Sequence, residues 1–321
     1  MRYRLFGRTG LRVSEMLLGT MTLRSVEDAR RVIDVYADAG GNFLDTASAY
    51  GESEEVLGAV LGERRDRFVV ATKYTLSRDA GDPNAGGNHR KNLVLSLEQS
   101  LRRLRTDYVD VLWVHLWDRH TPVEETMRAL DDVVRAGKVL YVGVSDAPAW
   151  FVARANTLAE WRDWTPFSGL QVPYNLLQRD VERELLPMAS GLGLTVAAWA
   201  PLAAGKLSGG TSRFDRLTGR EEAVASEVRA VARELGATPA QVALAWVRAS
   251  GVLPLVGART PEQVVDCLGS GGVVLPPEAV ARLSAAAPFE RGFPADFIAE
   301  CEASPFAFGS GQVIRPGSSA G

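Results

Sequence analysis

Few residues in this chain could hold a metal or a disulfide. It has only two cysteines, Cys267 and Cys301, and three scattered histidines. Neither a disulfide framework nor a metal centre is indicated. No apolar run approaches the length of a membrane span, and the N-terminal MRYRLFGRTGLRV has no apolar core fit for a signal peptide. A cytoplasmic, reducing setting is the default expectation. Excess charge of one sign is also lacking: the formal net charge is −3 over 321 residues, which argues against a nucleic-acid or anionic-membrane surface. A strand–GxGxxG–helix fingerprint is absent, because Gly191-Leu192-Gly193-Leu194 precedes an apolar run instead of following one. This disfavours a doubly wound dinucleotide-binding sheet. Nothing in the sequence specifies an oligomeric state.

What is present is an ordinary globular composition, 46% apolar and 23% charged, long enough for a sizeable core. Arg2 to Val13 reads as two short strands joined at Gly7-Arg8-Thr9-Gly10. Apolar, often β-branched runs then begin near Met16, Asn42, Phe68, Val109, Val139, Ser168, Thr195 and Val252. Amphipathic stretches of helical spacing separate them, among them Asp28–Tyr36, Leu93–Leu101 and Thr126–Val134. Eight such alternations predict a parallel sheet closed into a (β/α)8 TIM barrel, with an N-terminal hairpin and an extra C-terminal helix over Pro277–Ala287. No linker or charge block divides the chain, so a single barrel domain over 1–321 is expected, with the tail after about 309 poorly ordered. Two polar, Gly-bearing segments, Tyr74–His89 and Leu202–Gly219, read as long loops on the C-terminal face, the first of them mobile.

The strand ends carry the chemistry. The second run, Asn42-Phe43-Leu44, closes on Asp45, and Tyr50 lies five residues on in a small-residue loop. Ser53 is positioned to cap the helix that follows. The third run ends in Lys73, the fourth in His115, the fifth in Ser145 and Asp146, the sixth in Gln171 and the seventh in Trp199. On a barrel these positions converge around one mouth. Each has a structural reading: Asp45 capping a loop, Tyr50 packing as an amphipathic aromatic, Lys73 in a structural ion pair, His115 as a satisfied core group. Together, Asp, Tyr, Lys and His at successive strand ends make a specific signal. Carbonyl reduction, the activity implied by the family resemblance given below, explains the residue types. A carbonyl accepting hydride develops negative charge on oxygen and needs a proton donor with a polarising neighbour. A free tyrosine, with a pKa of about 10, is a poor donor near neutrality. A neighbouring cation lowers that value. Lys73 would supply the cation, Asp45 would hold it, and His115 would orient the carbonyl oxygen.

FLDTASAYGESE (43–54), with Lys73 and His115, resembles the aldo-keto reductase family. VHLWD (114–118) and GKVLYVGVSDAPAW (137–150) are similar to its aryl-alcohol dehydrogenase-like branch. The resemblance covers roughly residues 1–285 and implies a catalytic tetrad of Tyr50, Asp45, Lys73 and His115, with NADPH as cofactor and a small carbonyl compound, aldehyde or ketone, as substrate. It places Trp199 against the nicotinamide and Ser145 and Gln171 at its carboxamide, with Asp146 beside them. Gly19, Thr20, Met21 and Asp45 belong to the same cofactor site. The loop Ala200-Pro201-Leu202-Ala203-Ala204-Gly205-Lys206 is implied to follow the pyrophosphate with its backbone, small residues permitting close approach. Gly257, Arg259, Gln263 and Asp266 are implied at the adenosine end, where a helix N-terminus favours anions. The chain departs from the family pattern at Asp146, often Asn or Arg, at Gly210, often a phosphate-facing Lys, and at Asp266-Cys267, usually Glu-Asn. Two other readings stay open: a reductase of nucleotide-linked deoxysugars, and a non-catalytic, NADPH-bound module like channel-associated β subunits.

Overall fold

The computed structural model describes residues 1–209 and 217–309; Gly210 and the tail after 309 lie outside the described residues. An antiparallel hairpin opens the chain, β1 (Tyr3–Leu5) with β2 (Arg12–Ser14). There follow β3 (Leu17–Gly19), α1 (Val26–Asp38), β4 (Phe43–Asp45), α2 (Ser53–Leu61), β5 (Val69–Tyr74), α3 (Arg90–Leu104) and β6 (Val109–Val114). Next come α4 (Val123–Arg135), β7 (Val139–Ser145), α5 (Ala149–Arg162), β8 (Phe167–Pro173), α6 (Leu185–Leu192) and β9 (Thr195–Trp199). The unit is completed by α7 (Gly219–Leu235), α8 (Pro239–Ala249), β10 (Leu253–Gly257), α9 (Pro261–Gly269) and α10 (Pro277–Ala286). Strands β3 to β10 pair in parallel, and β10 returns to β3, closing an eight-stranded barrel. All eight apolar runs form barrel strands, so the chain is a TIM barrel with an N-terminal hairpin. Residues 1–287 make one compact unit. The described residues of a second, starting at Pro288, contain α11 (Ala295–Glu302) and α12 (Pro305–Phe308).

Strand alternation divides each strand between two cores. Leu44, Val70, Leu112, Val142, Leu170, Val196 and Val256 pack outward against the helices, beside Ile33, Leu97 and Leu130. Phe43, Val69, Ala71, Val111, Trp113, Ala197 and Leu253 pack inward with Phe6 and Val13 of the hairpin. Phe6 meets Trp113 edge-on, with ring centroids 5.9 Å apart, and the Gly7 N–H donates to Thr195 Oγ1 at 2.7 Å. The hairpin therefore floors the barrel with apolar groups. Stepping on by two along the inward set reaches Asp45, Lys73, His115, Ser145, Gln171 and Trp199. The polar mouth is the upper layer of the same interior.

Trp113, fully buried, fits because its partner on β7, Gly143, and the next residue across, Gly169 on β8, are glycines. A Cβ on Gly143 would lie 2.3 Å from its ring, and one on Gly169 2.8 Å. The ring is boxed in by Phe6 and cannot yield, so Gly143→Ala is expected to cost about 1–3 kcal/mol by overpacking. Denaturant unfolding measures this, and a variant as stable as the parent would show that the floor repacks freely.

Candidate active site

The loop after β4 folds back over β5. Thr46 N–H donates to Ala71 O at 2.9 Å and Ser48 N–H to Lys73 O at 3.2 Å, while Tyr50 N–H closes a turn on Ala47 O at 3.1 Å. This lays Tyr50 above Lys73, whose Nζ is 4.9 Å from the ring centroid. Lys73 and Asp45 form an ion pair with side chains only 0% and 2% exposed. The ammonium also donates to Thr46 O at 2.9 Å, and Gln171 Nε2 donates to Asp45 Oδ1 at 3.1 Å. His115 stands edge-on to Tyr50 with ring centroids 5.7 Å apart. The four residues of the expected tetrad are brought together.

Electrostatics set their protonation. Burial alone would lower the Lys73 pKa, but the Asp45 carboxylate and the Tyr50 hydroxyl outweigh it and hold it above the ordinary lysine value. Burial, reinforced by the Lys73 cation, pushes His115 down to about 3, so the imidazole is neutral at ordinary pH. Its Nδ1 is buried without a partner among the described residues. Tyr50 differs from expectation. Burial raises its pKa, and the lowering effect of Lys73 does not compensate for that and the Asp45 charge. The phenol rests in its protonated form.

The remaining predicted residues divide. Ser145 is buried, and the half-buried Asp146 beside it, in left-handed backbone at φ 43°, accepts from Trp199 Nε1 at 3.1 Å. Gln171, expected at a carboxamide, has one end of its own amide committed to Asp45. Gly19 pairs in register with Asp45 and Gly257. Thr20 is buried, with its N–H on Asp45 O at 2.9 Å, whereas Met21 is exposed. The segment after β9 is strained: Ala200, Ala203 and Ala204 have φ of 50°, 49° and 56°, and Gly205 follows at 97°. Pro201 is buried and Leu202 half-buried. Left-handed backbone costs an alanine energy, and bonds inside the loop hold it: Ala203 N–H meets Ala200 O and Gly205 N–H meets Leu202 O. Lys206 Nζ is paired with Glu221. Gly257 and Arg259 are exposed, and Gln263 Oε1 accepts from Arg259 N–H at 2.8 Å. Asp266 Oδ1 accepts from Thr238 Oγ1 at 2.8 Å and Gln241 Nε2 at 3.1 Å, bracing the start of α8.

Ser53 does not cap α2. Glu52 holds that position without a side-chain bond, and the Ser53 hydroxyl instead bonds Thr20 O at 3.1 Å and Thr46 Oγ1 at 2.9 Å. The Tyr74–His89 segment is an extended connection as expected, but it is tethered: Gly87 N–H reaches Thr75 O at 2.8 Å and Asn88 N–H reaches Asp118 Oδ2 at 3.1 Å. Sequence reasoning missed Asn175, whose Nδ2 donates to Ala200 O at 3.0 Å and holds the strained loop. It also missed Glu54, fully buried between Thr72 Oγ1 at 2.6 Å and Arg103 at 3.4 Å. A polar residue just past the β8 end was the available signal for Asn175. Two hollows of about 300 and 400 Å³ lie by the hairpin, and neither is lined by a predicted site residue. Among the described residues no group of three or more His, Cys, Asp or Glu could hold a metal, and no helix is long and apolar enough to cross a membrane.

The barrel mouth thus gathers a buried Asp–Lys pair, a protonated phenol above it and a neutral imidazole beside it. The model of the Aldo/keto reductase family matches residues 15–288. A norsolorinic acid reductase of Emericella nidulans is 39% identical, across 91% of this chain and 82% of its own. An aryl-alcohol dehydrogenase of Pestalotiopsis microspora is 38% identical, across 92% and 85%. An aryl-alcohol dehydrogenase (NADP(+)) of Phanerodontia chrysosporium is 35% identical, across 89% and 85%. The chain belongs to the aldo/keto reductase family and is an oxidoreductase of carbonyl compounds.

The ion pair makes a stability prediction. Lys73→Met leaves a buried carboxylate unpaired and is expected to cost about 3–5 kcal/mol, whereas Lys73→Met with Asp45→Asn removes both charges and recovers much of that loss. Denaturant melts of these two variants and of Asp45→Asn alone measure the coupling; additive losses would mean the two charges are solvated separately.

Proposed function

We propose that this chain is an NADPH-dependent reductase of aldehydes or ketones, with Tyr50 as proton donor. The observation that carries the reading is the packing of Tyr50 over the Lys73–Asp45 pair with His115 at its edge. The residues present fit the cofactor. The run Ala203-Ala204-Gly205 is left-handed, and its small side chains leave room for a pyrophosphate to approach the backbone. Trp199, held by Asp146, offers an aromatic face for the nicotinamide. Arg259 lies exposed just ahead of α9, whose first residue is Pro261, and suits a phosphate dianion. When bound, the dinucleotide supplies the hydride.

The chain's own groups do the rest. The neutral imidazole of His115 hydrogen-bonds the carbonyl oxygen and fixes its approach. Tyr50 delivers its proton to that oxygen as negative charge develops there, and Lys73 stabilises the phenolate left behind. A phenol whose resting pKa is raised stays loaded with its proton until the reaction demands it. Asp45 keeps Lys73 charged and aimed. Trp117, two residues past His115, stands edge-on to the exposed Trp150 with centroids 5.5 Å apart, an aromatic rim that favours aryl carbonyls. The intact cluster favours an enzyme over a cofactor-bound binding module.

Tyr50→Phe tests the reading. It should keep NADPH binding while steady-state reduction of an aryl aldehyde falls by about 10²–10⁴-fold; a parental rate would remove Tyr50 from the donor role. Cofactor choice is tested separately. A charge-assisted hydrogen bond is worth about 1.5–3 kcal/mol, so Arg259→Ala should weaken NADPH by roughly 10–150-fold and leave NADH nearly unchanged. Equal losses for both dinucleotides, read by fluorescence titration, would mean that Arg259 only shapes the loop.

A further inference from the structure

The charges around the mouth do not sum to zero. Asp45 and Lys73 cancel, His115 is neutral and Tyr50 carries its proton. Asp146 adds a carboxylate with no ion-pair partner among the described residues. Burial holds its pKa above the ordinary aspartate value, against the opposing hydrogen bonds from Trp199 and Ser145 and the Lys73 cation. The group is also held in place. Trp199 Nε1 donates to its Oδ1 at 3.1 Å. Its own N–H donates to Gln171 O and its carbonyl accepts from Trp117 N–H, each at 3.4 Å. The residue stands in left-handed backbone, φ 43°, where side chains other than Asn and Asp are disfavoured.

We propose that Asp146 sets the redox form of nicotinamide that the site prefers, its fixed carboxylate favouring the cationic oxidised ring over the neutral reduced one. This rests on the reading of Trp199 as the nicotinamide platform, since the carboxylate is bonded to the edge of that indole. The two redox forms share every phosphate, ribose and adenine contact, so those cancel in their comparison. Only the ring charge differs. In carbonyl reduction a hydride goes to the carbonyl carbon and the Tyr50 proton to its oxygen, and the ring is left positive. A preorganised carboxylate facing that charge lowers the barrier and draws the bound equilibrium toward alcohol. It also slows release of the oxidised cofactor.

Asp146→Asn isolates the charge, because asparagine tolerates left-handed backbone and its side-chain oxygen still accepts from Trp199. Calorimetric titration of parent and variant with each dinucleotide is the experiment. One charge at a few ångströms in a partly screened site corresponds to about a tenfold change in affinity. Asp146→Asn should therefore weaken NADP+ by about tenfold and leave NADPH near its parental affinity. Asp146→Gly, also neutral and unstrained in left-handed backbone, should give the same selective loss and serves if the Asn variant does not fold. Equal weakening of both forms, or an unchanged ratio in a parent that binds both, overturns the role of Asp146 and leaves the cofactor reading standing. A parent that binds neither dinucleotide overturns both.

Discussion

The buried Lys73–Asp45 pair is the interaction on which the rest of the mouth depends. Two charges removed from water this completely are costly unless every remaining donor and acceptor is engaged. Here Thr46 O takes one ammonium proton and Gln171 binds the second carboxylate oxygen. The pair thus ties together the ends of β4, β5 and β8, three strands distant in sequence. It also fixes the electrostatics of its neighbours. The Lys73 cation helps to keep His115 neutral and opposes the effect of burial on the Tyr50 phenol. A barrel can hold such a pair because its wall is rigid and its interior excludes solvent on all sides but one.

The lower half of the same interior is built to opposite specifications. Phe6, Phe43 and Trp113 fill it without polar demand beyond the indole N–H, and Gly143 and Gly169 leave the space that Trp113 occupies. Above, polar side chains alternate into the same column. The strained alanines after β9 are affordable only because surrounding contacts over-determine them. Asn175 holds Ala200 O, Tyr174 N–H meets Trp199 O, and Ala203 N–H closes on Ala200 O at 2.9 Å. The strain is thus held in part by the loop after β8, which carries Asn175.

Much was legible in one dimension because barrels write their architecture into periodicity. A β-strand buried on both faces reads as an apolar run, and the residue that breaks the run stands at the mouth. Asp45, Lys73, His115, Ser145, Gln171 and Trp199 could be named on that ground alone. Partnership was not legible. Ser53 has the residue type and position of a helix cap, yet its hydroxyl is taken by Thr20 and Thr46, which come from separate loops. Asp266 gives no sign in the sequence of its bond from Thr238 at the start of α8. Lys206 is paired with Glu221 on the following helix. Each of these outcomes turns on a hydrogen bond between segments whose proximity no local pattern encodes.

By itself, then, the sequence determined the eight alternations, the hairpin that floors them, the chemical types at the strand ends and the small residues of the loop after β9. These are local properties, set by side-chain volume, branching and period. Only the tertiary structure decided how the charges balance. Whether Tyr50 is raised or lowered depends on how deeply it is buried relative to its distance from Lys73, and burial prevails. Whether Asp146 stands alone or meets a cation depends on which strand ends lie beside it, and what it meets is the indole N–H of Trp199. Solvation and charge pairing are sums over everything nearby in space, and the chain order of a closed barrel scatters those neighbours along its whole length.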